Sequence, residues 1–284
     1  MPRVPLFSSL RLLLVGFHLL YGALQVALLF RLAGATGRQC LTRIWSRQLL
    51  TLLGIRLKGD EELASIAGGL LIGNHISFID IFVINALLPS AFVAKSEVAQ
   101  WPLIGWLSRH SGTVFIERGS RKAAHRTHQH MLQMLGSGQR LAIFPEGTST
   151  AGDRLLPFHA ALFQSAIDAA VPVHALALSY HHGDGTRSAA PAYIDEISLL
   201  DCLMSVLQSG GLVARVTLAA SFTPPLQDRR HLAHRAHQAI AADLARVSDF
   251  ASTYPVRHID PSNRGNNPSN ETPQSSRNEA AIIL

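Results

Sequence analysis

GLLIGNHISFIDIFVINALL, residues 69–88, is the stretch on which the fold turns. Its first part, Gly69 to Asn74, is a short apolar run that reads as a buried strand. Its second part, Phe78 to Leu88, has room for about three turns of helix and follows at once. A buried strand that feeds a helix is half of a βα unit. The pattern recurs downstream. AFVAK (91–95) reads as a strand and Val98 to Leu107 as a helix. GTVFIER (112–118) is a strand, and Arg121 to Leu135 a helix ended by Gly136. RLAIFPE (140–146) is a strand, Phe158 to Ala170 a helix and VPVHALALSY (171–180) a strand. LVARVTLAASF (212–222) and Asp228 to Val247 close the series as strand and helix. This alternation predicts an α/β fold, a largely parallel or mixed sheet flanked by helices.

Upstream the chemistry changes. Leu12 to Phe30 is 19 residues without a formal charge, bracketed by Arg11 and Arg31. As a helix it is roughly 28 Å long, close to the ~30 Å hydrocarbon core of a bilayer. A retained membrane span or a helix lying in the interface both fit. Leu41 to Leu53 follows as a basic amphipathic helix, with Trp45 expected at the lipid interface and Arg43 and Arg47 on its polar side. An ordinary helix packed on the globular core is the alternative. Residues 1–59 hold eight basic residues and no acid, so of the net charge of +6 they carry +8 and the rest about −2. Charge placed this way suits an anionic lipid surface rather than nucleic acid. The chain therefore divides into an N-terminal membrane-anchoring helical segment (1–58), an α/β domain (59–254) and a polar tail (255–284) whose composition reads as disordered.

Two isolated cysteines, Cys40 and Cys202, make neither a disulfide framework nor a Cys-based zinc site. HRTHQH (125–130) has no neighbouring carboxylate motif, so no metal is expected. GTSTAG (147–152) lacks the spacing of a nucleophile elbow, and no phosphate loop or dinucleotide fingerprint occurs.

Three strings carry chemistry, each at a strand end. In GNHISFID, His75 and Asp80 would sit about 140° apart on a continuous helix. They meet only if His75 lies in the turn and Asp80, on the first helical turn, reaches back. Asp80 would then hold one ring N–H, leaving the imidazole to take a proton from a hydroxyl. A structural histidine capped by a helix N-terminal Asp is the plain alternative. In FPEGTS (144–149), Pro145 and Gly147 force a turn that presents Glu146 at its tip, and backbone N–H groups near Gly147 and Thr148 offer an anion site. In GTVFIERG (112–119), a strand ends at an exposed Arg118, suited to an anionic head group or simply solvated.

HxxxxD, a strand ending in Arg, then FPEGT, in this order over about residues 70–180, resembles the glycerolipid acyltransferases, and more narrowly the 1-acylglycerol-3-phosphate acyltransferases. The resemblance implies that His75 and Asp80 are the catalytic pair and that Arg118, Glu146, Gly147 and Thr148 shape the acceptor site. AKSEVAQWPLIG (94–105) adds Lys95, which the resemblance places near the acceptor phosphate. It further implies acyl-CoA or acyl-carrier protein as donor, a lysolipid as acceptor and direct transfer without an acyl-enzyme. It implies no cofactor, and a catalytic domain on the cytoplasmic side of a bacterial-type inner membrane. Three positions depart from the family's pattern: Ser149 stands where Arg is usual, His159 where Lys is frequent, and Ala175 where a Pro is usual. The first two remove cations from the expected phosphate pocket, which makes a different lysolipid, such as a lyso-ornithine lipid, an alternative acceptor. The competing class is a non-catalytic lipid-binding protein on a membrane anchor, against which the paired His75 and Asp80 speak.

Overall fold

The computed structural model of the chain describes residues 6–101, 104–116, 121–194 and 196–246. Its centre is a sheet of strands β1 (Ile55–Gly59), β2 (Gly69–Gly73), β3 (Ala91–Lys95), β4 (Val114–Ile116), β5 (Arg140–Ile143), β6 (Val173–His181) and β7 (Leu212–Phe222). The spatial order is β1-β7-β6-β2-β5-β3-β4. β6, β2, β5, β3 and β4 run one way; β7 is antiparallel to β6, and β1 is parallel to β7. The sheet is thus mixed, with a parallel centre. Central strand β2 is buried along its whole length, as a strand covered on both faces must be.

Side chains alternate between two cores. Leu70 and Ile72 face one, with Leu141, Ile143 and Val173; Leu71 faces the other, with Ala142, Leu176, Leu178 and Tyr180. The first core is covered by α5 (Arg121–Gly136), α6 (Gln164–Asp168) and α8 (Arg229–Ala245). The second is covered by α1 (Leu6–Leu28), α2 (Ala35–Leu52), α3 (Ile79–Leu87) and α7 (Leu199–Gln208), with α4 (Ile104–His110) at its margin.

Several expectations change. Strand β1 was not anticipated, and it brings the sheet's start forward from Gly69 to Ile55. Its alternating apolar and basic sequence, IRLKG, is what an edge strand tolerates. The single helix expected over 98–107 is a 3-10 turn, Ser96–Gln100, followed by α4. The helix expected over 158–170 is likewise split into a 3-10 turn, Ala160–Phe163, and the short α6. Helix α7 occupies the connection between β6 and β7, where no helix is expected from the sequence. The polar tail falls outside the described residues.

α1 and α2 form an antiparallel hairpin against the second core. Gly22 admits the indole of Trp45: a Cβ there would lie 2.4 Å from its Nε1. Trp45 stacks on His18 at 4.9 Å, donates from Nε1 to the His18 carbonyl and meets Phe82 edge-on at 5.5 Å. Its ring is therefore packed within the hairpin and half-buried there. Arg47 and Arg43 donate to the carbonyls of Ala86 and Leu87, the free acceptors at the C-terminus of α3. Ser8, Val15, His18, Gln25 and Val26 face protein, while Leu13, Phe17, Leu20 and Leu24 form an outward stripe. The two polar residues that interrupt the apolar run, His18 and Gln25, are thus the ones turned inward.

Candidate active site

His75 follows β2 in the turn before α3, and Asp80 lies in the first turn of that helix. Asp80 does reach back. The His75 ring N–H at Nδ1 donates to Asp80 Oδ2 over 2.9 Å, and the backbone N–H groups of Ile76 (2.7 Å) and Ser77 (2.9 Å) donate to the same oxygen. The other carboxylate oxygen, Oδ1, accepts from the Tyr180 hydroxyl at 2.7 Å. Four donors around a carboxylate that is 0% exposed hold it as an anion of fixed orientation. With its Nδ1 proton committed to Asp80, the imidazole carries its basic lone pair on Nε2. The tautomer is assigned from this bonding pattern.

The ring is fixed from two further directions. Phe144, at the start of the FPEGT string, stacks on the imidazole with ring centres 4.2 Å apart and 16° between planes. The His75 backbone is clamped on both sides by the next loop: its N–H donates to Glu146 Oε1 at 2.7 Å, and its carbonyl accepts from the Thr150 N–H at 2.9 Å. Asn74 secures the turn below, exchanging two side-chain bonds with the Leu178 backbone of β6.

Glu146 is therefore not displayed at a turn tip. It is 4% exposed, and its second oxygen accepts from the Leu156 N–H at 2.8 Å. It staples the His75 turn to the loop that follows β5. Burial pushes its carboxyl up from 4.5 to about 8, the two backbone donors pull against this, and the nearby charge of Asp80 adds to the push. Gly147 turns the chain at φ 73°, and its N–H donates to the Phe144 carbonyl, so that donor is spent inside the turn and not on an anion. The His159 ring lies against Gly147: a Cβ there would sit 3.0 Å from its Nε2. Thr148 is half-buried beside it. Lys95 ends β3 at the same edge of the sheet as His75, the carboxyl edge where α/β folds take their ligands. Arg118 lies outside the described residues.

The residues missed by sequence reasoning are Phe144, Asn74 and Tyr180. Phe144 was inside a quoted motif, but nothing local says that a β5 residue stacks on a ring after β2. Of the histidines of HRTHQH, His128 is structural, lying 3.0 Å from both Asp168 Oδ2 and the buried Ser165 hydroxyl and tying α5 to α6, while His125 and His130 are exposed. Among the described residues no group of three or more His, Cys, Asp or Glu could hold a metal ion. A hollow of about 810 Å³ beside edge strand β1, lined by Arg47, Arg56, Leu57 and Leu87 among others, contains none of the motif residues.

Comparison with known proteins agrees with this geometry. Residues 54–179 match the acyltransferase family. A 1-acyl-sn-glycerol-3-phosphate acyltransferase of Neisseria meningitidis serogroup B is 37% identical over 207 residues, 72% of this chain and 81% of that protein. A lyso-ornithine lipid O-acyltransferase of Pseudomonas aeruginosa is 38% identical over 225 residues, 78% of this chain and 86% of that protein. The crystal structure of the 1-acyl-sn-glycerophosphate acyltransferase of Thermotoga maritima shares the fold, with a TM-score of 0.60 at 18% identity, over 84% of this chain and 97% of that one. The chain belongs to the glycerolipid acyltransferase family and is a 1-acylglycerol-3-phosphate acyltransferase-like enzyme.

Proposed function

We propose that the enzyme transfers a fatty-acyl group from acyl-CoA or acyl-carrier protein to the free hydroxyl of lysophosphatidic acid. The observation that carries this reading is the His75 Nδ1–Asp80 Oδ2 bond, which leaves Nε2 as the base. Nε2 takes the acceptor's hydroxyl proton as the oxygen attacks the thioester carbonyl. The tetrahedral intermediate then expels the thiolate, which receives the same proton from the imidazolium. The carboxylate of Asp80 offsets the imidazolium charge and does not itself take the proton. Lys95 and Arg118 act as the cations facing the acceptor phosphate.

A second acceptor, a lyso-ornithine lipid, is favoured by one observation. Ser149, which stands at the family's usual Arg position, donates its hydroxyl inward to the Tyr193 carbonyl and offers the acceptor no charge. Assays of the purified enzyme on both acceptors with one donor separate the readings. If lysophosphatidic acid is the substrate and residue 149 borders its phosphate, Ser149→Arg raises kcat/KM for it about tenfold, the worth of a hydrogen bond to a charged group. An unchanged preference removes residue 149 from the phosphate site.

We further propose that the outward stripe of α1 meets lipid, holding the catalytic domain on the cytoplasmic face of the inner membrane. The helix is long and apolar enough to cross a bilayer. Phe17 and Leu24 are 60% and 56% exposed, which water disfavours and acyl chains do not. Burying two such side chains is worth roughly 3–6 kcal/mol. Phe17→Glu with Leu24→Glu is expected to lower the membrane-bound fraction at least a hundredfold in vesicle flotation. Unaltered flotation would show that this stripe does not face lipid.

A further inference from the structure

We infer that Tyr180 is a positioning residue for acyl transfer, acting through Asp80 on the basicity and aim of His75. The inference rests on the reading of His75 as general base and adds a residue that none of the recognised motifs contains. Tyr180 lies one residue beyond the stretch that matches the family, which ends at 179.

The sheet's alternation brings the residue to the site. On β6, Leu176, Leu178 and Tyr180 face the core that carries α3, whereas Val173, Ala175 and Ala177 face the opposite one. Tyr180 thus points under the first turn of α3, 1% exposed, with its hydroxyl 2.7 Å from Asp80 Oδ1. The three other donors to Asp80 all use Oδ2. Tyr180 is the donor that holds Oδ1 among the described residues, so it sets the rotation of the carboxylate about its bond to the chain. Burial, then the charge of Asp80, pushes the phenol well above its ordinary value, so it remains a donor throughout the working range. The other titratable groups near Asp80 are Glu146 after β5 and Cys202 on α7. Glu146 spends both oxygens on backbone N–H groups, and the Cys202 thiol donates to the Pro191 carbonyl.

Loss of the phenol hydrogen bond has a definite sign. With one donor fewer, Asp80 becomes a more basic carboxylate and stabilises the imidazolium more strongly. His75 must then be deprotonated at a higher pH before it can act. The ring is also held less firmly in rotation, which slows proton transfer but leaves substrate binding alone.

The test compares Tyr180→Phe with wild type and His75→Ala in full-length enzyme in lipid. In Tyr180→Phe, kcat is expected to fall about tenfold with KM unchanged within twofold. The acid limb of kcat/KM should move to higher pH by about half a unit or more. A residue that only fills space would lower the melting temperature and leave that limb in place. Replacing Tyr180 by 3,5-difluorotyrosine keeps the ring and strengthens the donor, and moves the limb the other way; it decides the matter if Tyr180→Phe fails to fold. The inference is overturned if His75→Ala is inactive while the Tyr180 variants keep wild-type kcat and an unmoved limb. Turnover retained by His75→Ala would instead overturn the assignment of the base.

Discussion

Replacing His75 with Ala is expected to lower acyl transfer by about 10²–10⁴-fold, the range over which a positioned general base contributes. The side chain is 1% exposed and bonded through Nδ1 to a carboxylate that four donors hold in place. No second imidazole lies within bonding reach of Asp80 among the described residues. His159, the nearest histidine of the motif loop, packs its Nε2 against Gly147 instead. The loss should appear in kcat, because the proton moves only as the bond to the thioester carbon forms. Release of free thiol from the donor, followed in the presence of acceptor, measures it directly. Asp80→Asn should behave in the same direction, since its amide group would set donors against the N–H groups of Ile76 and Ser77 or surrender the ring N–H. Equal turnover by wild type and His75→Ala would remove this imidazole from the reaction.

Glu146→Ala is expected to be the most destabilising single change in the motif loop. It strips the acceptors from two buried N–H groups, those of His75 and Leu156. At roughly 1–3 kcal/mol for each orphaned donor, the loss is about 2–6 kcal/mol, a large part of an ordinary domain's stability. Activity falls with it, because the clamp on the His75 backbone is released. Glu146→Gln keeps one acceptor oxygen and should recover about half of the stability. The pH dependence has a fixed sign. Glu146 is raised from 4.5 to about 8 in the folded chain. Below 4.5 both states hold the proton. Between 4.5 and 8 the unfolded chain releases it and the folded chain keeps it, so the stability due to this group falls as pH rises, and it levels off above 8. Melting temperature measured across this window should fall less steeply in Glu146→Gln than in wild type. Identical slopes would show that Glu146 is ionised in the fold at neutral pH.

Both variants test parts of the site that were visible to different degrees. The His75–Asp80 spacing was legible because both residues belong to one strand-turn-helix unit: once the strand ends before His75 and the helix starts before Asp80, the carboxylate has few places to go. The role of Glu146 was not legible. FPEGT announces a turn, and a glutamate in a turn reads as solvent-facing. It turns inward because β5 pairs beside β2 in parallel register, Ile72 opposite Ile143, which puts the loop after β5 against the turn after β2. Gly147 reads as a turn residue from its sequence, and its N–H closes that turn on the Phe144 carbonyl.

The N-terminal helices show the same division. Composition and charge identified an apolar helix and a basic one, since hydrophobic length and charge are sums over neighbouring residues. The facing of each side chain is a matter of packing. Trp45 is expected at the lipid interface from its sequence, and the cleft left by Gly22 packs its ring between the helices.

By itself, then, the sequence determined the α/β alternation, the apolar and basic N-terminus, and the pairing of a histidine with an aspartate five residues on. All of these follow from forces acting between near neighbours along the chain. The tertiary structure alone decided that β7 turns back against β6, that Glu146 staples His75, that Phe144 stacks on its ring and that Tyr180 reaches Asp80 from 100 residues away. Those contacts depend on which strands become neighbours and which face each residue takes, and burial of the whole sheet settles that rather than any local preference.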